Sequence, residues 1–405
     1  MIKNFTRRDM IKTIALTAFS DVTSSILAQQ AVRSKQSRPA AAMSRICVTE
    51  WPGYYDNPKS DFQRRFELYK ALGVDTLRVQ TGWLDRPPMV EALKNTSFKI
   101  KMILYVMGIP KAYADQYPEE HMVDENGAAD WHMGPWNTEF AKTTMQTGRA
   151  EMEKLAASGL ASHVNALVVD LGPAGEGIYP ANWTLNRQGE EAYWCYSAQA
   201  QESFRTAMNR KYGSIITANN AWGLKDDQRF ASWKDVAIPK PGTLWARGAF
   251  WNDMLIWYRD SKRRMILTRI KQTQSLAREY LGENAKCIVY LPGYAYSQAD
   301  WDMAVSEASG PASIRLMMDN DWLMKTAIAK GCVLQYTGAE NADEVRNIVR
   351  KLKSAGSDAY RTMWAKTQER KLSGETPPGL RKLLPVTHCG ELIIPGATGF
   401  SKKTE

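Results

Sequence analysis

The sequence predicts an α/β protein, a (β/α)8 TIM barrel with long βα loops. Three observations predict it. Short β-rich runs recur along the chain, and a loop and a helical pattern follow each one. The runs number eight, the count that closes a parallel barrel. No Gly-rich dinucleotide fingerprint or phosphate loop follows the first run, which argues against a doubly wound nucleotide-binding sheet. A length of 405 residues suits one large barrel of this kind.

The chain opens on an address. Thr6-Arg7-Arg8-Asp9-Met10 precedes a moderately apolar stretch and small residues near Ala28, so residues 1–28 read as a twin-arginine signal peptide. Residues 29–44, rich in Gln, Ser and Ala, read as a linker. The barrel is expected over 45–375, and 376–405 as a C-terminal extension. Strands are expected at 45–49, 76–80, 101–107, 166–171, 286–291, 313–318, 332–337 and 359–364. Phe62, Phe66, Tyr69 and Leu72 share one helical face, and Gly73 follows as a stop. Residues 251–281 predict one long helix, with Leu255, Tyr258, Met265, Ile266 and Ile270 as apolar positions.

Composition narrows the function classes. The chain is 44% apolar and 24% charged, enough apolar surface to offset chain entropy over most of its length. No run approaches the ~20 apolar residues that span a bilayer. Aromatic residues make up 10%, which suits planar, partly apolar ligands such as sugar rings. The net charge is +10; Lys3, Arg7, Arg8 and Lys12 against Asp9 and Asp21 leave about +8 beyond the signal. The basic residues are scattered, and the densest late cluster, Lys262-Arg263-Arg264, sits in a helical pattern, so no nucleic-acid partner is expected. The five cysteines are dispersed, which indicates neither a zinc site nor a disulfide framework. Cys47, Cys287 and Cys332 lie in strand-like runs and read as buried free thiols. No metal or other cofactor is expected.

Chemistry in a barrel sits at the carboxyl ends of the strands. Those ends bring Glu50 and Trp51, then Trp83 and Asp85, then Asp170 with Glu176 and Tyr179. Tyr294, Asp319, Asp321, Glu340 and Trp364 complete the set. Trp131, His132 and Trp136 stand in a long loop after the third strand, as sugar subsites or as a loop packed on its own rings. Carboxylates and aromatics dominate, and no His or Cys nucleophile appears. That pattern fits acetal chemistry, with carboxylates for proton transfer and ring faces for stacking a sugar. Glu176 and Glu340, after strands four and seven, would bracket one glycosidic bond. The alternative for Glu176 is a loop carboxylate capping a helix; for Glu340 it is an acidic helix start favoured by the dipole.

Gly172-Pro173-Ala174-Gly175-Glu176-Gly177-Ile178-Tyr179-Pro180 resembles the acid-bearing segment of the β-amylases, glycoside hydrolase family 14. The resemblance implies that Glu176 is the general acid. A second stretch is similar to the family 42 β-galactosidases: Cys195-Tyr196, Phe204, Lys211-Tyr212-Gly213-Ser214-Ile215, Asn219-Asn220-Ala221-Trp222-Gly223 and Trp233, Val236, Ile238 and Pro239. Leu68-Tyr69-Lys70-Ala71-Leu72-Gly73-Val74-Asp75-Thr76-Leu77-Arg78 looks like the passage into the second strand that both families share. Both resemblances imply a catalytic Glu at the end of strand seven, here Glu340. The expectation is an exported, periplasmic or secreted glycoside hydrolase acting on a carbohydrate. The competing reading is a carbohydrate-binding barrel without catalysis.

Overall fold

The computed structural model describes residues 45–50, 74–95, 101–106, 114–185, 187–293, 295–307, 310–336, 364–366 and 391–395, with single positions 62, 66, 347, 350, 351 and 354. The strands are β1 (Arg45–Glu50), β2 (Val74–Gln80), β3 (Lys101–Val106), β4 (His121–Val123), β5 (Ala129–Met133), β6 (Val164–Val169), β7 (Lys286–Leu291), β8 (Val333–Tyr336), β9 (Trp364–Lys366) and β10 (Glu391–Pro395). The principal helices are α1 (Pro87–Asn95), α2 (Phe140–Ala157), α3 (Ala198–Tyr212), α4 (Ile215–Ala221), α5 (Gly248–Leu281), α6 (Gln298–Glu307) and α7 (Asn320–Ala329). The chain divides into two compact units. One comprises Met1–Tyr105, Leu155–Ala166 and Val333–Glu405; the other comprises Val106–Lys154 and Leu167–Cys332.

The first unit carries a parallel sheet in the order β8-β9-β10-β1-β2-β3. β1 sits at its middle, with Val48 opposite Ile394 of β10 on one side and Leu77 of β2 on the other. β2 continues to β3 through Leu77 and Met102, and β10 continues to β9 through Leu392 and Ala365. Such strands follow from apolar runs like Ile46-Cys47-Val48 and Met102-Ile103-Leu104, a composition that favours strands of a parallel sheet. Behind β2, Leu77 and Val79 are buried, and Trp83 packs edge-on against Phe62 at 5.5 Å.

Two expectations need correcting. Residues 313–318 are not a strand: Ala312–Arg315 makes one helical turn, and Met317 adopts a left-handed φ of 52°. The apolar run there is buried, but burial alone does not distinguish a strand from a helical turn. Residues 376–405 are not merely an extension either. They contain β10, whose Glu391-Leu392-Ile393-Ile394 pairs with β1 and β9.

The second unit holds the second half of β6, then β7 and the long helix α5. β6 and β7 are adjacent, and past the end of β6 Glu176 forms one more parallel bridge, to Tyr290 of β7. β4 and β5 form a separate antiparallel hairpin. Thus Trp131 and His132, expected in a loop, lie on a strand. Helix α5 runs 34 residues, about 50 Å at 1.5 Å per residue. Gly282, at φ 91°, ends it by donating to Arg278 O at 3.3 Å. Its apolar face sits in an aromatic core with Tyr179, Tyr193, Trp194, Phe204, Trp222 and Phe250. No helix among the described residues is long and apolar enough to cross a membrane.

Candidate active site

Glu176 follows a tight turn that leaves β6. Gly172 has φ 124°, and a Cβ there would sit 3.0 Å from Lys262 Nζ and 3.3 Å from Ile178 O. Glycine is therefore required at this bend. Pro173–Gly175 then forms one 3-10 turn, with Gly175 N donating to Gly172 O at 2.8 Å and Glu176 N to Pro173 O at 3.2 Å. Glu176 itself is extended, held by its backbone bridge to Tyr290 at the end of β7. Its residue is 9% exposed, so it is shielded by the fold yet not sealed.

One face of α5 forms the bed of this segment. Tyr258, Lys262, Ile266 and Arg269 recur at helical spacing. Tyr258 accepts at its carbonyl from Tyr179 OH at 3.1 Å, and the two rings stack at 4.0 Å. Lys262 Nζ donates to Ile178 O and, at 3.3 Å, to Leu171 O. Ile266 lies so close to Gly177 that a Cβ there would be 3.1 Å from its Cδ1. Arg269 Nε donates to Asp170 O at 3.0 Å. Downstream, Tyr179 N donates to Leu316 O at 3.0 Å. Burial lowers the Lys262 ammonium to about 7, while the Asp170 charge opposes this. Burial likewise pushes the Tyr179 and Tyr258 phenols and the Cys195 thiol well up, so all three stay protonated at neutral pH.

The other expected site residues separate into groups. Asp170 Oδ1 accepts from Gly172 N at 3.2 Å, so it shapes the same turn. Asp319 accepts from Arg263 Nε and Nη2 at 2.8 and 2.5 Å. Asp321 is exposed in the first turn of α7, and Asp85 is exposed at the end of a 3-10 turn. Trp136 and Tyr179 are buried in aromatic packing: Trp136 stacks on Trp257 at 5.5 Å and donates to Ser197 Oγ at 3.1 Å. Trp83 is buried at 1% exposure, with Arg86 over its ring at 5.2 Å. Protein neighbours cover these rings, which leaves no face for stacking a sugar. Trp131 stacks on His132 at 4.0 Å, and His132 Nδ1 contacts the Asp130 carboxylate. Glu50 and Trp364 are placed by strand register, opposite Val79 and Glu391 respectively. Trp51, Tyr294 and Glu340 lie outside the described residues.

Sequence reasoning missed Lys262, Tyr258 and Arg269 as partners of the Glu176 turn. Their common helical face was the available signal. In sequence Lys262 is one of a basic triplet in a helical pattern; in the fold it is 2% exposed. Only Arg263 and Arg264 of that triplet point elsewhere, Arg263 to Asp319 and Trp322, Arg264 to Ser261 Oγ.

Comparison with known proteins places this segment. Residues 134–304 match the model of glycosyl hydrolase family 14. The chain resembles the family 14 and family 42 glycoside hydrolases. A β-amylase of Cytobacillus firmus is 30% identical over 231 residues, 53% of this chain and 45% of that protein. A β-galactosidase of Thermus thermophilus is 27% identical over 163 residues, 40% of this chain and 23% of that protein. The chain thus spans less than half the length of these relatives. The catalytic domain of a β-amylase from Paenibacillus polymyxa shares the fold, with a TM-score of 0.67 at 17% identity over 86% of this chain and 91% of that one. A family 42 β-galactosidase from G. stearothermophilus gives 0.54 at 14% identity over 87% and 51%.

Proposed function

We propose that the chain is a glycoside hydrolase that cleaves O-glycosidic bonds of an oligo- or polysaccharide, with Glu176 as general acid. The observation that carries this reading is the Glu176 turn. A nonapeptide resembling the β-amylase acid segment lies inside the region that matches family 14, and the fold sets Glu176 just past the end of β6, bridged to Tyr290 of β7. Protonating the leaving oxygen is the demand that such a carboxyl meets. Glu340 is the proposed second carboxylate, acting as base on water or as nucleophile. We further propose that the parallel strands complete a (β/α)8 barrel; the shared fold with the P. polymyxa catalytic domain supports this. Export through the twin-arginine route is part of the same proposal and rests on Arg7-Arg8.

The test is Glu176→Gln, assayed on a panel of aryl glycosides and soluble polysaccharides. Turnover on substrates with poor leaving groups should fall about a thousandfold, within the range for losing a positioned acid. Substrates with activated leaving groups need little protonation and should lose far less. Equal loss on both kinds removes the acid assignment. A wild type that binds glycans and turns over none of them establishes the binding-only alternative. The anomeric form of the first product, read by NMR, then separates the two roles open to Glu340: inversion for a base, retention for a nucleophile.

A further inference from the structure

Lysine is a costly residue to bury, because its ammonium gives up hydration that only strong acceptors replace. Lys262 is buried in the middle of α5, and the acceptors it meets are backbone carbonyls of one short segment. These carbonyls belong to Leu171 and Ile178, which flank the turn bearing Glu176. The stem of Lys262 also brings its Nζ to 4.8 Å from the Tyr179 ring, so the ammonium sits over an aromatic face as well. Gly172 leaves the space that Nζ occupies. A hydrophobic residue would fill the same volume without the desolvation cost, but it would not tie the two ends of the turn together. Hydrogen bonds to both ends restrict where the residue between them can sit.

We infer that Lys262 is a positioning residue for Glu176: its amino group clamps the carbonyls of Leu171 and Ile178 and so fixes the turn that carries the acid. This rests on the reading of Glu176 as general acid. Lys262 touches no reacting atom in this scheme. Its effect passes through the backbone of residues 172–178, where Gly175 N and Ile178 N donate to Gly172 O and Glu176 O at 2.8 Å each.

The experiment compares the wild-type chain with K262M, which keeps the stem and removes the donors, and K262Q, which keeps one short donor. Amide hydrogen exchange and steady-state kinetics are measured on each. In K262M, exchange at Gly175, Glu176 and Ile178 should quicken at least tenfold, while amides in the middle of α5 keep the wild-type rate. On glycosides with poor leaving groups kcat should fall about a hundredfold with KM within threefold; on activated aryl glycosides it should fall less than tenfold. K262Q should lie between. Unchanged exchange at the three amides overturns the inference. So does a rise in KM with kcat intact, or an equal loss on both substrate kinds. Failure of both variants to fold also overturns it, because Lys262 would then serve the whole core. If the wild type cleaves no glycoside, the acid reading fails, and the exchange arm still decides whether Lys262 clamps the turn.

Discussion

Lys262 is the residue at which burial and charge conflict most directly. Its usual value is 10.5, and burial brings it to about 7 in the folded chain. Between those values the unfolded chain holds a proton that the folded chain has released. Stability therefore rises with pH from about 7 toward 10.5, the sign opposite to that of a lysine gaining a salt bridge. The difference converts to at most about 5 kcal/mol, and the carbonyl acceptors, which favour the ammonium, hold the true slope below that ceiling. Other buried groups act in the opposite sense. Burial raises Glu125 and Glu191, whose contribution is lost as pH rises through their folded values. Cys287 and Cys332, raised to about 12, withdraw stability above about 9. The interval from pH 7 to 8.5 is one in which Lys262 contributes a rising slope. Urea midpoints of the wild type should climb across it, and those of K262M should stay flat. A slope that survives in K262M would remove Lys262 as its source.

At the scale of elements, α5 organises the second unit through polar side chains set into an aromatic core. Asp253, buried, accepts from Lys211 Nζ at 2.5 Å, Tyr212 OH at 2.6 Å and Trp222 Nε1 at 3.0 Å. One carboxylate thus docks the end of α3 and the end of α4 onto α5. The capping chemistry of these helices is local and ordinary: Ser197 and Ser214 accept from Ala200 N and Thr217 N at 3.2 and 3.1 Å. Asp253→Ala leaves three donors facing a void and should cost about 3 kcal/mol, within the range for breaking a buried hydrogen-bonded charge. Asp253→Asn should cost less. Chemical denaturation measures both, and a loss under 0.5 kcal/mol for the alanine variant would show that the three donors find other partners. This docking explains what the sequence could reveal. The long helix over 251–281 and the strands near 101–107 and 286–291 were legible, because helix periodicity and apolar runs are local signals, and the Gly172–Glu176 segment stood out by its resemblance to the β-amylases. Which face of α5 meets the Glu176 turn was not legible, since a lysine inside Lys262-Arg263-Arg264 looks solvated until tertiary packing selects one of the three. β10 was missed for a related reason. Its Leu392-Ile393-Ile394 is a short apolar run, and the buried Ile314–Met318 run competed for the same place in the strand count.

At the scale of the whole molecule, the thiols and the amino terminus make one argument. Cys195, Cys287 and Cys332 are free and buried. Burial raises all three thiols, so few are thiolate at neutral pH, and the thiolate is the reactive form. A chain crossing a membrane unfolded would expose those thiols to an oxidising compartment before they were covered. A chain that crosses already folded keeps them enclosed. The twin-arginine reading of residues 1–28 supplies a route of the second kind. Replacing Arg7-Arg8 by Lys-Lys should therefore leave the precursor inside the cell, as followed by fractionation and mass. In the exported wild type, an alkylating reagent should label Cys195, Cys287 and Cys332 only after denaturation. Normal export of the Lys-Lys variant rejects the address. Exported protein in which any of these three cysteines is already disulfide-bonded rejects folded passage, because each thiol is enclosed in the native core and pairing it requires that core to have been open outside the cell.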